Sequence, residues 1–360
     1  MNTVTTNLQP ATQKPRVSTI DFAESRKLLV ILITAGILVL GALWALSKGA
    51  YDLSIGDILS VLQHRIFGSS DAVVNRVHET IIWEIRLPRI LLGLAVGVAL
   101  ATAGAVYQGT FRNPLVEPFI LGVSAGASFG ASLGILFPGL FLSLQTGALL
   151  FSFLAVILVY FSSRIDGRNP VVNLILAGVI ISSLFQALVA ILKYFSDDAS
   201  LRAITFWILG GFYYASWADV AVILPVVLAG FALIWTQSWK LNVLSMGEEE
   251  ARALGVNPDL LKLVLIFTAT LITAFSVASV GIIAWVGLMM PHMARMILGP
   301  DHRFVLPAAA LMGGFYVLVC DTLARTLTMT EIPISIITSI LGAPYLFYLL
   351  RTRGRFGFGD

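Results

Sequence analysis

The 360-residue chain is poor in charge: Asp, Glu, Lys and Arg together supply 12% of it, against 58% hydrophobic residues. It has a single cysteine, Cys320, which excludes an intrachain disulfide and a cysteine metal cluster. Its four histidines, His64, His78, His292 and His302, lack the spacing of metal ligands, and no H-E-x-x-H occurs. His292 and His302 flank an inner loop and read as ordinary interfacial residues. There is no G-x-x-x-x-G-K-[ST] phosphate loop, so ATP is not hydrolysed here by that route. The net charge of +3 is too small and too scattered for nucleic-acid binding. The apolar runs hold almost no ionisable groups, although proton and ion pathways are built from such groups. Asp321 is the exception, and Arg325 one helical turn on makes it a local ion pair.

What the chain has instead is apolar length. A mean hydropathy of +0.90 over this many residues defines a polytopic membrane protein. Residues 1–27, rich in Thr, Gln and Pro, read as a disordered cytoplasmic tail, and 354–360 as a second short tail. Between them, 28–353 divides into about ten crossings by the length rule. The first is Leu28 to Leu46, and an amphipathic piece at Ser54 to Leu62 lies outside the membrane. Pro118 to Ser163 breaks into two spans at Pro138-Gly139. Leu263 to Ala294 is too short for two full spans, so one leg is short or broken, with Gly281, Gly287 and Pro291 as weak points. With the N-terminus inside, inner segments hold fifteen of the 23 basic residues, which places both termini in the cytoplasm.

Two stretches carry function. The first runs from Arg86 to Gly134. Arg86 and Arg89 flank Leu87-Pro88, an uncharged span follows, and a tight polar turn at Arg112, Asn113, Pro114 and Glu117 ends it. Beyond the turn Gly122, Gly126, Gly130 and Gly134 recur every fourth residue, making a flat helical stripe. Such a stripe either packs a neighbouring helix closely or lines a translocation path with few side chains. The second is the inner segment 237–262. Read as a helix from Gly247, it brings Ala251, Leu254 and Gly255 together, with Glu248 at the edge of that face. A compact small face of this kind seats in a partner's groove.

RLPR, GAVYQGTFRNPLVEPFILGVSAGA, WILGGF, GEEEARALGV, GLMMPHMAR, DHR and ARTLTMTEIPISIITSILGAPYLFYLL follow one another in order. In these the chain resembles the permease subunits of ATP-binding-cassette importers of the iron-siderophore, haem and vitamin B12 class. The resemblance covers nearly everything after residue 50. It implies an all-α membrane fold like that of the vitamin B12 importer permease, with about ten transmembrane helices per subunit. It implies a multi-pass protein of the cytoplasmic (inner) membrane, working as a homodimer whose interface carries a metal chelate inward, with ferric siderophore first and cobalamin or haem next. Two cytoplasmic ATPase subunits would hold the ATP and Mg and dock on Gly247, Glu248, Ala251, Leu254, Gly255 and Val256. The chain itself would bind no cofactor or metal. An extracytoplasmic binding protein would place carboxylates on Arg86, Arg89 and Arg325, the last preceding the E-L/I-P motif. The competing classes are an ion-coupled secondary carrier and an intramembrane enzyme, and the enzyme lacks any nucleophile-base or metal constellation.

Overall fold

The computed structural model describes residues 18–353 apart from 50, 52, 69–74, 140–142 and 166–169. The two tails expected at 1–27 and 354–360 fall largely outside the described residues, although α1 (Ser18–Ser47) starts ahead of residue 28. Among the described residues the regular structure is helical throughout, as the long apolar runs require: with no water to satisfy backbone groups, a spanning segment must bond within itself. Seven helices are long and apolar enough to cross a bilayer, and three shorter apolar ones accompany them.

The outer layer comes first. Ser54 caps α2 (Ile55–Phe67) in a reciprocal box with Asp57, which starts the amphipathic helix where its sequence pattern does. α3 (Arg76–Glu79) then runs into a π-helical segment, Thr80–Arg86, whose Ile82 carbonyl accepts from the Leu87 N–H five residues on. That widened turn leaves the Trp83 carbonyl for the indole N–H of Trp217, 2.9 Å away.

α4 (Leu87–Thr110) is the axis of the bundle. Nearly every residue from Ala95 to Thr110 is buried, because the small side chains let other helices approach from all sides. Gly97 abuts Gly313, and Gly104 abuts Gly287, so the α4 backbone touches those of α13 (Val286–Leu298) and α14 (His302–Thr326) directly. α12 (Pro258–Val280) closes another side, with the buried Tyr107 hydroxyl 3.0 Å from Thr270 Oγ1. α9 (Trp217–Thr236) completes the ring.

The segment 118–163 divides as the Pro-Gly break predicts, into α5 (Val123–Leu136) and α6 (Leu144–Ser162). α7 (Val171–Phe195) and the short α8 (Asp198–Leu209) follow. The short leg expected between 263 and 294 is α13. Its break lies at 281–285, where Gly281 and Trp285 both take positive φ. Gly287 is instead a close-packing point and Pro291 sits inside the helix, so only the first of the three expected weak points interrupts the chain. The inner segment forms α10 (Ser238–Met246) and α11 (Glu248–Ala253), and α15 (Ile334–Arg353) ends the described chain.

Candidate functional site

The glycine stripe has one clear structural role here. Gly122, at φ 83°, is the left-handed residue that starts α5, and it lies near Ser182 of α7. Gly126 then faces the Phe151 carbonyl, Gly130 faces Gly147, and Gly134 faces Leu144. All three neighbours belong to α6. Along these three residues α5 and α6 meet as a backbone-to-backbone seam.

A polar face does occur on α7. Ser182, Ser183 and Gln186, with the apolar Val179 one turn before them, share a side of α7 near its middle and line a cavity of about 590 Å³. Glu117 and Trp285 stand among the other lining residues. Hydroxyl and amide groups at the centre of a span belong beside water or protein rather than lipid. The sequence reading missed this face because the four residues sit inside an apolar run, and only their spacing marks them.

At one end of the bundle Arg86, Arg89 and Arg325 converge, although 236 residues separate Arg89 from Arg325. Arg86 is buried and donates to the carbonyls of Leu46, at 2.6 Å, and Tyr51. Arg325 donates to the carbonyls of Ala45 and Lys48. Gly49 lies between the two guanidinium groups, where a side chain would strike Arg86. The pair thus straps the outer end of α1 onto α4 and α14.

Arg89 is spent differently. Its Nε and Nη2 donate to Asp321 at 2.9–3.1 Å, while Nη1 and Nη2 donate to Glu331 at 2.8 and 2.9 Å. The ion pair expected within α14 is a lesser contact: Arg325 Nε stands 3.8 Å from Asp321. Asp321 belongs mainly to Arg89, because an acid only 4% exposed needs a bidentate cation more than a distant neighbour. Glu331, in the loop before α15, escaped the sequence reading, and its place in the E-I-P triplet was the available signal.

The opposite end is organised around α11. Gly247, with φ 158°, precedes it, and Gly255, with φ 77°, follows it in open space. The expected small face is divided. Ala251 is fully buried and Val256 nearly so, which makes them the inward support of the helix rather than a surface offered to a partner. Leu254 is 55% exposed and stands outside with Gly255. Glu248 accepts from the buried Lys262 ammonium at 2.6 Å and from Arg252 at 3.5 Å, tying α11 to α12.

Beside α10, a second tie joins the inner loops. Asp301 accepts from Asn242 at 2.7 Å, and Asn242 in turn accepts from the backbone N–H of His302 at 2.8 Å. Partial burial raises the Asp301 pKa, but hydrogen bonds from Arg303 and Asn242 outweigh it and hold the carboxyl at about 2. His302, at the start of α14, and His292, within α13, are both buried in the protein. Among the described residues no group of three or more His, Cys, Asp and Glu is placed to hold a metal.

A close-packed bundle with seven helices long and apolar enough to cross a bilayer, and a cavity beside α7 that hydroxyl and amide groups help to line, fits the membrane-spanning subunit of a transporter. The chain belongs to the FecCD transport family, which matches residues 37–352. It is 39% identical to the molybdate import permease of Haemophilus influenzae over 88% of this chain and 95% of the other. It is 41% identical to the cobalamin import permease of Halobacterium salinarum over 78% and 76% of the respective chains. A metal-chelate type ABC transporter solved in an inward-facing conformation superposes with a TM-score of 0.79 at 38% identity, covering 90% of this chain and 99% of that one. This is a multi-pass ABC importer permease and not an enzyme.

Proposed function

We propose that this permease pairs with a second copy of itself and carries a metal chelate into the cytoplasm along the interface between them. A ferric siderophore is the first-choice cargo, with cobalamin and haem next. The polar α7 face supports this reading: in a single chain Ser183 and Gln186 are exposed at mid-membrane, where a partner subunit and a water-filled path would cover them. Two cytoplasmic ATPase subunits, holding ATP and Mg, dock on α11 at the outward-facing Leu254 and Gly255, with Glu248 fixing the helix. An extracytoplasmic binding protein docks at the Arg86, Arg89 and Arg325 cluster. Both termini lie in the cytoplasm and the membrane is the cytoplasmic one. The chain itself binds no cofactor.

The relative that carries molybdate supports a second reading, a small oxyanion as cargo. Reconstitution with candidate ATPase and binding proteins in vesicles decides between them, using ferric siderophore, cobalamin, haem and molybdate in turn. Uptake should require ATP and survive collapse of ion gradients. Uptake by this chain alone under a proton gradient would overturn the assignment. Gly255→Trp should reduce copurification of the ATPase, and normal assembly with normal stimulated hydrolysis would count against α11 as the docking helix.

A further inference from the structure

We infer that Glu331 is an internal placeholder for the carboxylate of the docking protein, and that its displacement carries the docking signal to the middle of the membrane. The inference rests on the proposed docking at the outer arginines. Arg89 has five N–H donors. Four of its N–H groups suffice for the two carboxylates it already holds. An incoming carboxylate therefore finds no free fork on Arg89 and must replace one of the two. Asp321 cannot leave, since its side chain is only 4% exposed and lies within α14. Glu331 can: its side chain is 35% exposed, and it sits on the irregular segment between α14 and α15. The surface thus fits an acidic partner that exchanges with Glu331 at Arg89.

What Glu331 holds gives the exchange a consequence. The next residue, Ile332, donates its N–H to Ala324, and Ile334 donates to the Gly210 carbonyl at 3.2 Å. Ser335 donates to the Ile282 carbonyl, and Gly211 donates to Val280 at 2.8 Å. One segment of about five residues therefore links Arg89 to the α8–α9 loop and to the broken leg at 281–285. Trp285, at the end of that break, donates to Ser339 of α15 at 3.1 Å and lines the mid-membrane cavity. Letting Glu331 go loosens a segment that ties Arg89 to both the α8–α9 loop and the break at 281–285.

The test compares wild type, Glu331→Gln and the loop control Met329→Ala, whose parent side chain is fully exposed. Hydrogen exchange on the purified permease in lipid nanodiscs needs no partner. Glu331→Gln should raise exchange at Ile332, Ile334 and Gly211 by roughly tenfold, with Met329→Ala unchanged. The binding protein that supports uptake in the vesicles described above should bind Glu331→Gln about fivefold more tightly, because the internal competitor for Arg89 is weakened. Unchanged exchange at Ile334, or binding that Arg86→Glu and Arg325→Glu weaken while Glu331→Gln leaves at the wild-type value, overturns the placeholder and leaves docking intact. Unaltered binding in Arg86→Glu, Arg89→Glu and Arg325→Glu overturns docking itself and the placeholder with it.

Discussion

Replacing Gly130 by leucine distinguishes a packing seam from a transport path. The two helices meet glycine to glycine: a Cβ on Gly147 would stand 2.5 Å from the Gly130 carbonyl oxygen, and one on Gly130 would stand 2.9 Å from Ala148 N and overlap Gly147 itself. Ordinary contact begins near 3.4 Å, so a methyl on Gly147 would force the helices apart by about 0.9 Å and one on Gly130 by more, and the atoms in the way are backbone. A gap of that size forfeits ~25–50% of the attraction along the seam. Overpacking of this kind costs ~1–3 kcal/mol for a small addition, and a leucine lies at or above the upper end. A loss of ~2 kcal/mol lowers the folded-to-unfolded ratio by roughly 30-fold. We expect Gly130→Leu to reduce membrane abundance and thermal stability in detergent, while the molecules that do fold transport at a near-normal rate each. Gly36→Ala, which meets nothing within 4 Å, serves as the control and should be neutral or slightly stabilising. Wild-type abundance and melting with uptake per molecule cut severely would refute the seam and return the stripe to the path.

The other predictions concern ion pairs. Arg89→Ala leaves Asp321 buried without its main cation and should cost ~3–5 kcal/mol, measured as a fall in thermal stability; Arg89→Ala melting like wild type would show that Arg325 suffices for Asp321. Glu248→Ala strands the Lys262 ammonium, 5% exposed, and should loosen α11 by ~1–3 kcal/mol, read as faster proteolysis between α10 and α12. For Asp301 the folded pKa lies near 2, below its ordinary 3.8, so its contribution is full above about pH 4 and is lost as pH falls towards 2. Acid melting curves of wild type should converge on those of Asp301→Asn across that window, and parallel curves would show that the carboxylate contributes no stability.

The helices were legible because each span is written as uninterrupted apolar length, and because Pro138-Gly139 and Ser54 punctuate the chain with local chemistry. Convergence of the outer arginines was not written in the residues themselves. Arg86, Arg89 and Arg325 meet only because α4 and α14 touch through Gly97 and Gly313, a tertiary fact. The same cause explains the second partner of Asp321: spacing within α14 gave it Arg325, at 3.8 Å, and the packing added a closer one from α4. On α11, spacing grouped Ala251 with Leu254 and Gly255, but the helix ends at Ala253 and the turn sends the later two outward. Periodicity describes a face only for as long as the helix lasts.

The π-helical turn at Thr80–Arg86 has a bearing on how this chain tolerates change in length. It contains, in effect, one residue more than an α-helix needs there. Removing that residue would leave an unbroken ladder of backbone bonds and little local strain. Because the wide turn absorbs its extra residue, the helices on either side would keep nearly the same rotation about their axis. What a deletion would remove is the carbonyl that the wide turn leaves for Trp217, and with it the tie from this segment to α9. The length of this segment thus matters for one bond across the bundle more than for the direction of the helix.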